Sequence, residues 1–265
     1  MLFRSDGALY ALDAKSGALI WKRETGDKIL SSPNWFVSPS GIPWIVVGSY
    51  DYKLYCVEAA TGKSNWVYES SNFINGAPSV ANGQTIFGGC DGLLHLISLT
   101  NGVQTKEIEA GAYVLGSAAV IGNRAYVGHY ENAFVAFDLD KGTNIWTYHD
   151  RGFPYASSPA VADDFIYVGC RDKRLHCIKR SDGAAVWAFQ TRGKVDSSPV
   201  VAGDKVLIGS DDGFFYMLNR TSGEEVWSYE IGQPIASSAA VVSNLDRKST
   251  RLNSSHSSVS RMPSS

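Results

Sequence analysis

What this chain has little of narrows its chemistry before anything in it is identified. Cysteine is scarce: there are four in 265 residues, with no adjacent pair and no Cys-x-x-Cys-His run, so no haem attachment motif is encoded. An excess of basic charge is missing too. With 24 basic and 26 acidic residues the net charge is −2, which leaves no footprint for nucleic acid or an anionic membrane. No apolar run approaches the ~20 residues that a membrane-crossing helix needs. No stretch sustains the period of an amphipathic helix, which argues against helical solenoids. Of five histidines, one is His256 near the C-terminus, and none of the others forms a metal-ligand spacing.

The two ends read differently from the body. Asp246 to His256, DRKSTRLNSSH, matches one translated frame of a common short-read sequencing adapter, and Ser260 to Ser265, SRMPSS, matches its continuation. Met1 to Ser5, MLFRS, matches the opposite adapter strand. The expectation is a native segment at 6–245, with non-native residues at 1–5 and a non-native, disordered tail at 246–265. These ends carry Arg4, Arg247, Lys248, Arg251 and Arg261 against Asp246 alone; without that surplus of four the net charge becomes −6.

What is abundant is glycine, and it recurs with a period. The turn glycines Gly17, Gly62, Gly102, Gly142, Gly183 and Gly223 are spaced 45, 40, 40, 41 and 40 residues apart. A second marker, Pro33, Pro78, Ala118, Pro159, Pro199 and Ala239, mostly within Ser-Ser-Pro, keeps step at 45, 40, 41, 40 and 40. An insertion around Trp35 to Trp44 accounts for the longer first interval. Two independent markers with one period fix a repeat architecture.

Each repeat reads as β-structure. In the fifth, apolar runs at Ser157–Ala162, Phe165–Cys170, Arg174–Lys179 and Ala185–Gln190 are separated by short turns, which is the content of a four-stranded propeller blade. Asp91-Gly92 and Asp212-Gly213 suit a tight hairpin between second and third strands, where glycine accepts positive φ without steric cost. Asp51, Glu131 and Asp172 hold the same acidic slot, read as a turn residue rather than a metal ligand. The predicted fold is an all-β propeller with five complete antiparallel blades. The first repeat contributes its last two strands and the final repeat its first, Ser237 to Val242, as an incomplete ring of a seven- or eight-bladed parent.

The most specific signal is Asp13-x-x-Ser16-Gly17-x-x-x-Trp21 and its echoes. Trp21, Trp66, Trp146, Trp187 and Trp227 occupy one position on the outermost strand. Covering each indole contributes up to ~4–6 kcal/mol, so each is expected to dock on the neighbouring blade. Lys106 replaces the third tryptophan, which predicts a weaker or differently packed joint. Cys56 and Cys177 are read as sharing one repeat position and Cys90 and Cys170 another, as small apolar filler; only Cys170 and Cys177 are placed to meet.

Gly7 to Trp21, with its Leu-Tyr-Ala-Leu-Asp-x-x-Ser-Gly-x-x-x-Trp core, and Ser197-Ser198-Pro199-Val200-Val201 resemble the PQQ-like, or quinoprotein-type, β-propeller repeat family. The resemblance spans the native segment. That family includes quinoprotein alcohol and glucose dehydrogenases, the lipoprotein B subunit of the outer-membrane β-barrel assembly machine, and exported bacterial proteins. Its PQQ dehydrogenases typically carry an adjacent cysteine pair, a Ca²⁺ held by Glu, Asn and Asp, and a catalytic Asp. No motif here anchors those residues, so no catalytic, cofactor or metal residue is carried over.

The resemblance implies an exported, periplasmic or cell-envelope protein without a cofactor, which acts as a protein-binding or assembly scaffold. The alternatives are the propeller portion of a PQQ- and Ca-dependent dehydrogenase and a sensor module of a larger chain. A partner, expected to be protein rather than nucleic acid or membrane, would meet the rim shared by the blade-to-blade loops and the second-to-third hairpins. The candidates there are Tyr50, Phe73, Tyr113, His129, Tyr130, Tyr155, Arg171, Arg174 and Lys194.

Overall fold

A computed structural model describes residues 2–4, 6–242 and 245–248. The described residues contain strands, turns and bends and no helix. The expectation of a disordered tail beyond residue 248 lies outside the described residues. The chain divides into two compact units, residues 1–131 with 135–145, and residues 132–134 with 146–265.

Among the described residues, five four-stranded antiparallel sheets form the body, each with its strands in sequence order, as β-propeller blades have. Blade two is Asn34–Val37, Pro43–Gly48, Lys53–Glu58 and Ser64–Glu69. Blade three is Ser79–Ala81, Gln84–Gly88, Leu93–Ser98 and Gln104–Glu109. Blade four is Ala119–Ile121, Arg124–Gly128, Phe134–Asp138 and Thr143–Tyr148, and blade five is Ala160–Ala162, Phe165–Cys170, Arg174–Lys179 and Ala185–Gln190. Blade six is Val200–Ala202, Lys205–Gly209, Phe214–Asn219 and Glu225–Glu230. Blade one has three strands, because Leu2–Arg4 pairs with Ala8–Leu12 ahead of Leu19–Glu24. After blade six, Ala239–Val242 pairs with Leu245–Lys248. Leu2–Arg4 and Leu245–Lys248 thus add a strand at each end to those read from the sequence.

The second and third strands carry the core. Ile45, Val46, Val47, Leu54, Cys56 and Val57 of blade two are buried on both faces, and Ile166, Tyr167, Val168, Leu175, Cys177 and Ile178 repeat the arrangement in blade five. The outermost strands alternate, with one face on the blade and one in solvent.

The Ser-Ser-Pro marker shortens the innermost strand for a physical reason. The first serine turns inward: the buried Ser157 hydroxyl accepts from the Gly169 amide at 2.7 Å, and Ser31 and Ser197 do the same for Gly48 and Gly209 at 3.2 and 3.1 Å. The second serine ties the preceding blade. Ser117 accepts from the Ala77 amide at 2.8 Å, and Ser198 from the Ser158 amide at 3.1 Å. Bonds between hydroxyls and backbone thus replace part of the ladder at these residues.

The tryptophan position makes a second link. Within the first unit, the Trp21 indole donates to the Ala59 carbonyl at 3.0 Å and Trp66 to the Leu99 carbonyl at 2.9 Å. Within the second, Trp146 donates to Arg180 and Trp187 to Arg220, both at 3.2 Å. Each acceptor belongs to the third-to-fourth turn of the following blade. The ring lies on that turn's glycine: a Cβ at Gly62 would stand 2.8 Å from Trp21, and one at Gly183 2.7 Å from Trp146. These glycines also hold φ of 71° and 76°, so backbone and packing both demand glycine there. Lys106 packs differently, as its position suggested. Its ammonium donates to the Leu139 carbonyl at 2.9 Å, the repeat-equivalent acceptor, and its Cδ lies 3.6 Å from where a Gly142 Cβ would be. Trp227 is half-buried and stacks on Tyr229 at 6.0 Å.

Candidate functional site

The loop that enters each blade meets that blade's second-to-third hairpin through one recurring backbone bond. Tyr50 N–H donates to Lys28 at 3.0 Å, Cys90 to Phe73 at 3.3 Å and Tyr130 to Tyr113 at 2.9 Å in the first unit. In the second, Arg171 donates to Pro154 at 3.1 Å and Asp211 to Lys194 at 3.0 Å. This bond gives the hairpins a register that corrects the cysteine reading. Cys90 is equivalent to Arg171, and Cys170 to Gly89, because the fifth blade's spacing is one residue longer. All four cysteines are free thiols, Cys170 and Cys177 included; Cys170 pairs with Arg174 and Cys177 with Tyr167 and Trp187.

In the first unit the rim is aromatic. Phe73 packs against Tyr50 at 4.8 Å and Tyr52 at 5.0 Å between ring centroids, and the Lys28 ammonium sits 4.5 Å over the Tyr50 ring. Tyr113 and Tyr130 are 56% and 49% exposed, although their backbones are tied to each other. Tyr52 holds its place at φ 69°, in the left-handed region that Gly92 and Gly213 occupy in two other hairpins and Asn132 and Lys173 in two more. His129, expected on this rim, is buried instead, and its Nδ1 accepts the Glu131 amide at 3.2 Å.

In the second unit the corresponding residues are charged and paired. Arg171 meets Asp196 at 3.0 Å, and Lys194 meets Asp196 at 3.0 Å and Asp211 at 3.4 Å. Arg174, mostly buried, bridges Asp150 and Asp172. Tyr155 departs from the rim altogether. It is 1% exposed, because it occupies the inward position that holds Ile29, Ile74, Val114, Val195 and Ile235 in the other repeats. Burial pushes its hydroxyl pKa far up, and among the described residues that hydroxyl has no hydrogen-bond partner.

The recurring acid has a role that spacing alone did not disclose. Asp51, Asp91, Asp172 and Asp212 each accept the amide two residues on, at 3.0–3.1 Å, as turn residues do. Each also reaches the side chain four residues on: Tyr55 at 2.6 Å, His95 at 2.9 Å, His176 at 3.2 Å and Tyr216 at 2.9 Å. The signal was present in the sequence as Asp-x-x-x-Tyr or Asp-x-x-x-His. Burial would raise the Asp91 pKa, but bonds from His95 and Ser71 outweigh it and hold the carboxyl at about 2. In two joints the outermost-strand tyrosine of the preceding blade completes the network, Tyr68 on His95 Nδ1 at 3.3 Å and Tyr148 on His176 Nδ1 at 3.1 Å.

The family described as outer membrane protein assembly factor BamB matches residues 5–157, 97–189 and 150–251. Among curated proteins, outer membrane protein assembly factor BamB of Bordetella pertussis is 24% identical over 192 residues, covering 67% of this chain and 49% of the relative. The Escherichia coli protein of the same name is 27% identical over 141 residues, covering 53% and 34%. The chain thus spans about half the length, or less, of the curated relatives it matches. The crystal structure of BamB from Moraxella catarrhalis superposes with a TM-score of 0.73 at 20% identity, over 92% of this chain and 73% of that one, which establishes likeness of fold.

Proposed function

From the premise that this chain belongs to the PQQ-type repeat family of the outer membrane protein assembly factor BamB, we propose that it is a non-catalytic protein-binding scaffold of the bacterial cell envelope. In this reading it sits in the periplasm and engages protein components of an outer-membrane assembly machinery, without PQQ or Ca²⁺. The observation that carries the reading is the aromatic rim of the first unit. Tyr113 and Tyr130 present large exposed rings on backbones fixed by a 2.9 Å hydrogen bond. Rigid, exposed tyrosines on an ordered frame are what protein hot spots are made of, since little side-chain entropy is lost on binding. The charged groups of the second unit, by contrast, are largely engaged with one another.

The test is binding of the purified chain to a reconstituted outer-membrane β-barrel assembly machinery lacking its own B subunit. The intact chain should bind, and Tyr113→Ala with Tyr130→Ala should weaken binding by ~30-fold or more, as paired hot-spot losses do. Unchanged binding by the double variant would remove this rim from consideration. Calorimetric titration with PQQ and Ca²⁺ should give no heat of binding, and a tight complex would move the chain to the dehydrogenases.

A further inference from the structure

Blade five departs from blades two and six at three neighbouring places, one of which, the histidine four residues after the hairpin acid, it shares with His95 of blade three. The slot two residues before the hairpin acid holds Ser49 in blade two and Ser210 in blade six, where the hydroxyl donates to paired loop carbonyls at 3.1–3.5 Å. In blade five it holds Cys170, whose thiol faces the equivalent pair, Phe153 and Pro154, at 3.6 and 3.4 Å. The slot four residues after the acid holds Tyr55 and Tyr216 in those blades and His176 in blade five. Both exchanges replace a hydroxyl by a stronger metal-binding atom, beside a carboxylate that all three blades keep. The ligand atoms of Cys170, Asp172 and His176 lie within 4.8 Å of one another, and all three residues are buried. The third difference is Tyr155, which replaces an aliphatic side chain. Its ring packs on His176 at 5.5 Å, and its hydroxyl is buried without a hydrogen-bond partner among the described residues.

We propose that Cys170, Asp172 and His176 form a binding site for a thiophilic divalent cation of the Zn²⁺ class, with the Tyr155 ring packed against the ligating imidazole. Ligands on Zn²⁺ stand ~3.3–3.7 Å apart in a tetrahedral site, so a contraction of about 1 Å closes the set. Binding through His176 Nε2 leaves Nδ1–H to donate to Tyr148 at 3.1 Å, with the Asp150 carboxylate 3.8 Å away. This is the outer shell that fixes a ligating imidazole. Arg174, which shares Asp172 with His176, retains Asp150 as its partner when the cation takes Asp172. The thiol, pushed up to about 12 by burial, gives its proton to solvent as the S–metal bond forms.

Anaerobic titration of the full chain with Co²⁺ tests the site, since a cobalt–thiolate bond has a near-ultraviolet charge-transfer band. One equivalent should produce the band, and Zn²⁺ should abolish it and raise Tm. Cys170→Ser installs the residue that blades two and six carry, and His176→Gln keeps the volume beneath Tyr155, so both should fold with unchanged circular dichroism. Each should weaken Zn²⁺ binding by at least about 100-fold, and Cys170→Ser should lose the band. Absence of a one-equivalent thiolate band in the intact chain, or its persistence in Cys170→Ser, overturns the assignment.

Discussion

Removing the Trp66 indole is the sharpest probe of how these blades cohere. The side chain is 8% exposed, its ring lies on Gly102 and its N–H reaches the Leu99 carbonyl at 2.9 Å. Nearly all of a tryptophan's ~150–250 Å² is thus out of water, worth up to ~4–6 kcal/mol at the usual area coefficient. Partial collapse around the vacated volume moderates this, so Trp66→Ala should cost ~3–5 kcal/mol. Trp66→Phe keeps most of the area and loses the hydrogen bond, for about 1–2 kcal/mol. The control is in the same chain. Trp227 fills the equivalent repeat position but is half-buried, and its stacking on Tyr229 is local, so Trp227→Ala should cost only ~1–2 kcal/mol. Guanidinium unfolding followed by far-ultraviolet circular dichroism gives the midpoints and slopes. A Trp66→Ala variant within 1 kcal/mol of the parent, or a Trp227→Ala variant just as damaged, would refute the reasoning.

Three other substitutions have defined outcomes. Lys106→Trp should restore the ring-on-glycine contact at Gly142 and the donor to Leu139, raising stability by ~1–2 kcal/mol in the same unfolding assay. The Asp91 carboxyl, held at about 2 when folded, stabilises the protein fully above its unfolded value near 4 and loses that contribution as pH falls from about 4 to 2. Asp91→Asn should therefore show a shallower acid limb in thermal melts across that window, by about 1 kcal/mol after solvent screening. Tyr155→Phe removes a buried hydroxyl that has no hydrogen-bond partner among the described residues and should raise the free energy of metal-free unfolding by about 1 kcal/mol.

The fold was legible because it is written six times. Phe165–Cys170, Arg174–Lys179 and Ala185–Gln190 end where the turns say they should, and Ala160–Ala162 starts later than its apolar run only because Ser157 and Ser158 spend their bonds sideways. The candidate site was harder to read. Exposed Tyr113 and Tyr130 follow from their loop positions, but Tyr155 looks like another rim aromatic until it is aligned with the Ile and Val of its siblings. The Cys170 cluster escaped because its residues are two and six positions apart on a hairpin, a spacing that becomes proximity only when the strand pair folds back. A one-residue difference between blades also hid which slot Cys170 occupies.

The pairing of each indole with the next turn's glycine has an evolutionary consequence. Neither half of the contact belongs to a single repeat, since one unit carries the knob and its successor the socket. A tandem copy inserted anywhere in such a row therefore arrives with both halves in place, and its new boundaries match the old ones. Blade number can then change by whole-unit duplication or loss without a new interface having to be invented. Where the knob has drifted, as at Lys106, only the dihedral demand at Gly142 still guards the socket, and that glycine is the first place to look for drift in related chains.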